Sequence, residues 1–178
     1  QIFLKNFLDG KGNFFVKIAE KFSFSSLQTQ KVCYNSDNER KRGGFMGKFV
    51  IKKTPSGAFN FSLYASNCEK IAVSSQVYTT KSACKKGMES IAKNAAKCIA
   101  EDRVEDQTLK KVEAKTCPKF EVYVDKAGLY RYRLIASNGE SIAMSEEGYK
   151  SKSGVMNGLK SVSINAVDAE IVDETLEK

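Results

Sequence analysis

Apolar residues alternate with polar or amphipathic ones along two stretches of the second half of the chain. Phe120, Val122 and Val124 take every second position, and Tyr130, Tyr132, Leu134 and Ala136 do so again after a polar break. A period of two puts such residues on one face of a strand. The break, Asp125-Lys126-Ala127-Gly128, has turn chemistry. Asn138-Gly139 then predicts a tight hairpin of type I′, whose two central residues need positive φ. Residues 142–145 read as a third short strand. From Val155 the period lengthens, and Val155, Leu159, Val162 and Ala166 share one helical face. Ser151 precedes this helix as an N-cap whose hydroxyl accepts an orphan amide hydrogen bond.

The same succession occurs 71 positions earlier without a gap. Lys48-Phe49 returns as Lys119-Phe120, Ala65-Ser66-Asn67 as Ala136-Ser137-Asn138, and Ile71-Ala72 as Ile142-Ala143. Tyr78 returns as Tyr149, Gly87 as Gly158, and Asn94-Ala95 as Asn165-Ala166. This is a duplication. In the first copy Thr80 is the cap and Cys84, Met88, Ile91 and Ala95 form the helical stripe. Gly87 and Gly158 sit inside the helices, where Gly costs about 1 kcal/mol against Ala, so the helix backbone is expected to pack closely on the sheet. Short segments at 103–105 and 169–172 predict one more strand after each helix. One such unit is too small to bury an adequate core, whereas two sharing a sheet can bury both helices together.

The residues now carry a resemblance. Lys119-Phe120-Glu121-Val122-Tyr123, Gly128-Leu129-Tyr130-Arg131-Tyr132-Arg133-Leu134 and Ala136-Ser137-Asn138-Gly139-Glu140 resemble the opening of the YegP-like family of uncharacterised bacterial proteins. Ser145-Glu146-Glu147-Gly148-Tyr149 with Gly158-Leu159-Lys160-Ser161-Val162 resembles its helix half. The resemblance implies an α+β fold: two tandem β-β-β-α-β repeats in one antiparallel sheet, two helices on one face, and C-terminal strands exchanged between repeats. It implies no reaction, cofactor or catalytic residue. The first copy departs from it at Cys68, where the second has Gly139. A Cys at positive φ is strained, so this turn is expected to differ in type or to leave the left-handed conformation to Asn67.

The domains are then an N-terminal extension at 1–45, a first repeat at 46–107, a connector at 108–117 and a second repeat at 118–178. In the extension, Phe14–Val16 and Phe22–Phe24 read as strands, and 35–44 as polar loop or disorder. Lys41 to Met46 can be encoded by a purine-rich ribosome-binding stretch followed by ATG. Two readings stay open: a translated leader ahead of a true start at Met46, or a genuine extension.

Lys and Arg total 29 against 21 acids, a formal charge of +8. Residues 1–45 carry eight bases and four acids, 47–95 eight and two, and 118–166 seven and five. The excess thus lies in the extension and the first repeat. There is no His, which removes Ser-His-Asp triads, Cys-His dyads and His-ligated zinc. The five Cys fit no metal-knuckle spacing and read as reduced thiols of a cytoplasmic protein. No metal or cofactor is implied, and no apolar run approaches the length of a membrane span.

Three functional classes follow. The first is a non-catalytic structural or interaction module with a protein partner or self-association. The second is nucleic-acid binding by the sheet face opposite the apolar stripe, where Lys48, Lys52 and Tyr64 of the first copy and Tyr123, Arg131 and Arg133 of the second interleave bases with rings. Asn60 and Ser62 share that face. The third is an enzyme using Glu140, Glu146 and Glu147 or a thiol such as Cys84, but acids near a helix start more often serve its dipole. Cys84 lies on the apolar stripe and reads as a buried hydrophobe.

Overall fold

The computed structural model describes residues 47–175 and, ahead of them, two short strands. The chain divides into two units, 1–41 and 42–178. In the first unit β1 (Asn6–Leu8) pairs antiparallel with β2 (Phe14–Val16). The strand expected at Phe22–Phe24, the loop at 35–44 and the leader or disorder reading of 1–45 otherwise lie outside the described residues.

In the second unit β3 (Lys48–Lys53), β4 (Phe59–Tyr64) and β5 (Lys70–Ser74) lead to α1 (Lys81–Ala100) and β6 (Val104–Asp106). The second repeat follows as β7 (Lys119–Val124), β8 (Tyr130–Ile135), β9 (Ser141–Met144), α2 (Lys152–Asn165) and β10 (Glu170–Asp173). All eight strands form one sheet in the order β10-β3-β4-β5-β9-β8-β7-β6. The final strands are exchanged: β6 of the first repeat pairs with β7 of the second, and β10 of the second with β3 of the first. The sheet is mixed rather than antiparallel throughout, because both exchanged strands pair parallel while the six between them alternate. Residues 107–118 supply the connection of about a dozen residues that a parallel neighbour such as β6–β7 requires.

One core lies between the helices and one sheet face. Phe49, Ile51, Phe61 and Leu63, with Phe120, Val122, Tyr132 and Leu134, meet Cys84, Met88, Ile91 and Ala95 of α1 and Val155, Leu159 and Val162 of α2. Burial of each large side chain contributes about 1.5–3 kcal/mol, which α2 in particular needs, since an isolated helix of its 14 residues is marginal in water. Both expected caps are made: Thr80 and Ser151 accept from Ala83 N and Gly154 N, each at 3.1 Å. Asp102, at φ 51°, ends α1 in a left-handed residue, and Arg103 N reaches back to Cys98 O at 2.8 Å.

The Asn138-Gly139 hairpin forms with a different turn. Gly139 N donates to Ala136 O at 2.9 Å, and among these residues only Gly139, at φ 82°, is left-handed. This is a type I turn followed by a bulge residue rather than type I′. The first repeat makes the same turn, with Cys68 N donating to Ala65 O at 2.9 Å and Cys68 itself at φ 66°. Neither a different turn type nor a left-handed Asn67 is used; Asn67 and Asn138 instead accept from the amides of Glu69 and Glu140.

Candidate interaction face

Cross-strand partners in a sheet point to the same side. Lys48 lies opposite Tyr64 and Lys52 opposite Asn60, while Tyr123 lies opposite Arg131 and Glu121 opposite Arg133. Lys48, Lys52, Tyr64, Tyr123, Arg131 and Arg133 therefore all stand on the helix-free face, as the alternation implies. The two halves of that face differ.

In the second repeat the bases are held by acids. Lys119 Nζ lies 2.7 Å from Glu105 and 2.9 Å from Glu121, and Arg133 Nε lies 2.5 Å from the other oxygen of Glu121. Glu105 also accepts from the Lys115 amide at 2.9 Å, so the connector closes over this network. The Arg133 guanidinium sits 5.7 Å from the Tyr123 ring centre. Arg131 bonds Asp125 at 2.6 Å and the Glu146 carbonyl at 3.0 Å. Hydrogen bonds from Lys119 and the Lys115 amide hold the Glu105 carboxyl below its usual range. Burial alone would raise Glu121, but hydrogen bonds from Lys119 and Arg133 outweigh it and bring that carboxyl down as well.

In the first repeat Lys52 reaches Glu174 at 3.4 Å, and Lys48 is 8 % exposed. Tyr64 is buried, and burial pushes its phenol up to about 12. Sequence alternation placed these side chains on the correct face but missed their acidic neighbours. Glu121 shares the period-two face with Tyr123 and was open to the same reading. Glu105 comes from the exchanged strand, whose partner β7 no local pattern names.

The groups considered for catalysis are dispersed. Glu146 pairs with Lys70 at 2.5 Å, and Glu140 accepts from Asn138 within the hairpin turn. Cys84 and Cys98 are buried free thiols, each pushed up to about 11 by desolvation. Cys117 is a third free thiol, while Cys68 is disulfide-bonded, which corrects the expectation that all five are reduced. Among the described residues no helix is long and apolar enough to cross a membrane.

The domain of unknown function DUF1508 matches the chain twice, over residues 55–98 and 125–173. UPF0339 protein YegP of Yersinia pestis is 32% identical over 131 residues, covering 74% of this chain and 98% of the relative. UPF0339 protein Atu5359 of Agrobacterium fabrum is 54% identical over 57 residues, which cover 32% of this chain and 90% of that relative. The solution structure of the protein of unknown function yegP from E. coli aligns with a TM-score of 0.58 at 26% identity, over 74% of this chain and 97% of that one. The solved relative is thus itself a protein of unknown function.

Proposed function

The chain belongs to the UPF0339 family, built here from two copies of the domain of unknown function DUF1508, and we propose that it serves as a non-catalytic interaction scaffold. One observation carries this reading: the resolved proton affinities among the described residues move away from neutrality. The carboxyls of Glu105, Asp106, Glu121, Asp125 and Asp173 are lowered. The thiols of Cys84 and Cys98 and the phenols of Tyr64, Tyr78, Tyr132 and Tyr149 are raised. A general acid or base works best near the ambient pH, and a thiol nucleophile needs a lowered pKa. These shifts are those of packing and ion pairing.

For the helix-free face, the carboxylates facing Lys119, Arg131 and Arg133 favour contact with a protein over contact with phosphates. Size-exclusion chromatography with light scattering and affinity capture from a native lysate test the scaffold. Self-association or a stoichiometric partner is expected, and a strict monomer that captures nothing overturns it. The free thiols of Cys84, Cys98 and Cys117 favour a cytoplasmic location, while the Cys68 disulfide favours an oxidising one. We place the protein in the cytoplasm; recovery in an oxidising compartment on fractionation refutes that placement.

A further inference from the structure

Among the described residues, the excess of bases in the first repeat lies in part on the outer side of α1, whereas on the helix-free face acids hold the bases of the second repeat. Lys86, Lys93 and Lys97 are exposed there. With 3.6 residues per turn and a rise of 1.5 Å, they form one row within about 40° of each other, along about 16 Å of helix. Lys86 and Lys93 have no acidic partner among the described residues. Lys97 approaches Glu101 only to 3.9 Å, with both side chains nearly half exposed, a contact of little weight. Lys85 is exposed one position away, and Glu89 beside the row offsets part of the charge. The row belongs to the first repeat alone. The same positions of the second repeat are Asn157, Ile164 and Asp168, which are neutral, apolar and acidic.

We propose that the outer face of α1 is a contact surface for the phosphate backbone of nucleic acid, read without regard to base sequence. The reading rests on the non-catalytic role above and names a partner for it. Lysines act as flexible point charges towards phosphate, and the row carries no Arg, Asn or Gln to fork onto base edges. A protein partner is a poorer fit, because interface centres are depleted of Lys and use aromatic or apolar anchors. The large apolar side chains of this stretch, Met88 and Ile91, are instead in the core. The same burial leaves the face nothing to insert into a bilayer.

Anisotropy of a fluorescein-labelled DNA duplex titrated with the full chain tests the proposal. Three phosphate contacts predict a slope of log K against log salt near −2.7, about a 40-fold loss of affinity between about 50 and 200 mM salt. The triple variant Lys86→Gln, Lys93→Gln, Lys97→Gln should abolish most of the binding and flatten the slope by about one unit per lysine. Lys160→Gln, on the outer side of α2, should leave both unchanged. Circular dichroism checks that each variant folds. The proposal is overturned if the duplex is not bound at about 50 mM salt, or if Arg131→Gln with Arg133→Gln removes binding as fully as the lysine variant. It is equally overturned if polyglutamate competes as strongly as the duplex. A duplex that fails to bind while affinity capture still yields a protein partner refutes this surface and leaves the scaffold standing.

Discussion

Lys81 Nζ lies 2.8 Å from Asp173 Oδ2, tying the first residue of α1 to the last residue of β10. The second repeat repeats the pair as Lys152 and Asp106, the first residue of α2 and the last of β6. Each helix start is thus fastened to the final strand of the other repeat. A lysine at a helix N-terminus opposes the macrodipole, and the incoming carboxylate reverses that local sign. Each Asp also accepts from a threonine two residues on, at 2.6 Å from the Thr108 and Thr175 hydroxyls.

Asp106→Asn and Asp173→Asn should each lower stability by about 1.5–3 kcal/mol, the range for hydrogen bonds to charged groups. Their effects should add in the double variant, because the two pairs share no partner. Urea denaturation of the four forms checks this. Unchanged midpoints would show that the exchanged strands need no electrostatic fastening.

Acid should weaken the fold by a linked route. Hydrogen bonds from Lys81 and Thr175 bring the Asp173 carboxyl to about 2, and Glu105, Asp106, Glu121 and Asp125 are also lowered. A depressed carboxyl contributes its stability fully above its unfolded pKa and loses it as pH falls through the folded value. Thermal midpoints should therefore be flat above about pH 5 and fall steadily towards pH 2. Asp173→Asn should make that fall shallower.

The aromatic ladders of the two repeats are nearly superimposable but differ by one hydroxyl. Phe49 meets Phe61 edge-on at 5.7 Å as Phe120 meets Tyr132 at 5.9 Å, and Phe61 and Tyr132 stack on Tyr78 and Tyr149. The Tyr132 hydroxyl crosses to donate to the Ile71 carbonyl in the first repeat. The Tyr78 hydroxyl is buried without a hydrogen-bond partner. Tyr132→Phe should cost about 1–3 kcal/mol by stranding a buried carbonyl, whereas Tyr78→Phe should be neutral or stabilising. Equal costs in chemical denaturation would contradict the asymmetry.

Gly87→Ala offers a test against ordinary helix propensity. Ala is worth about 1 kcal/mol over Gly within a helix, yet a Cβ at Gly87 would lie 2.4 Å from the Tyr78 hydroxyl and 2.8 Å from the ring carbon bearing it. The variant should lose about 1–3 kcal/mol through overpacking. Adding Tyr78→Phe should not restore it, because the ring carbon remains. Gly158→Ala, against Tyr149, should behave alike.

What the sequence made legible was what repeats at short range. The period-two strands, the stripe Cys84-Met88-Ile91-Ala95 and both caps stand as read, because each is decided by residues within a few positions. Close packing at Gly87 was also readable, but its partner is the ring of Tyr78 rather than strand backbone. The turn at Cys68 was misjudged because hydrogen bonds between the flanking strands fix the bulge and impose positive φ on whichever residue occupies it. On the helix-free face Arg131 and Arg133 were found without Asp125 and Glu121, which lie in the adjoining turn and on the same alternating face, while Glu105 reaches Lys119 only through strand exchange. Tyr64 alternates as an exposed residue would and is nevertheless buried.

Strand exchange also sets an order of events during synthesis. β3 is made long before β10, so Val50 waits for its parallel neighbour Val172 until about 120 further residues have been made. A ribosome that has released the whole first repeat still leaves the outer edge of β3 bare, with its amides and carbonyls open to another strand. β6 likewise lacks its partner β7 until that strand emerges. Long-range pairings of this kind form late and slowly, so the growing chain is most exposed to pairing with a neighbour between the end of α1 and the release of residue 173.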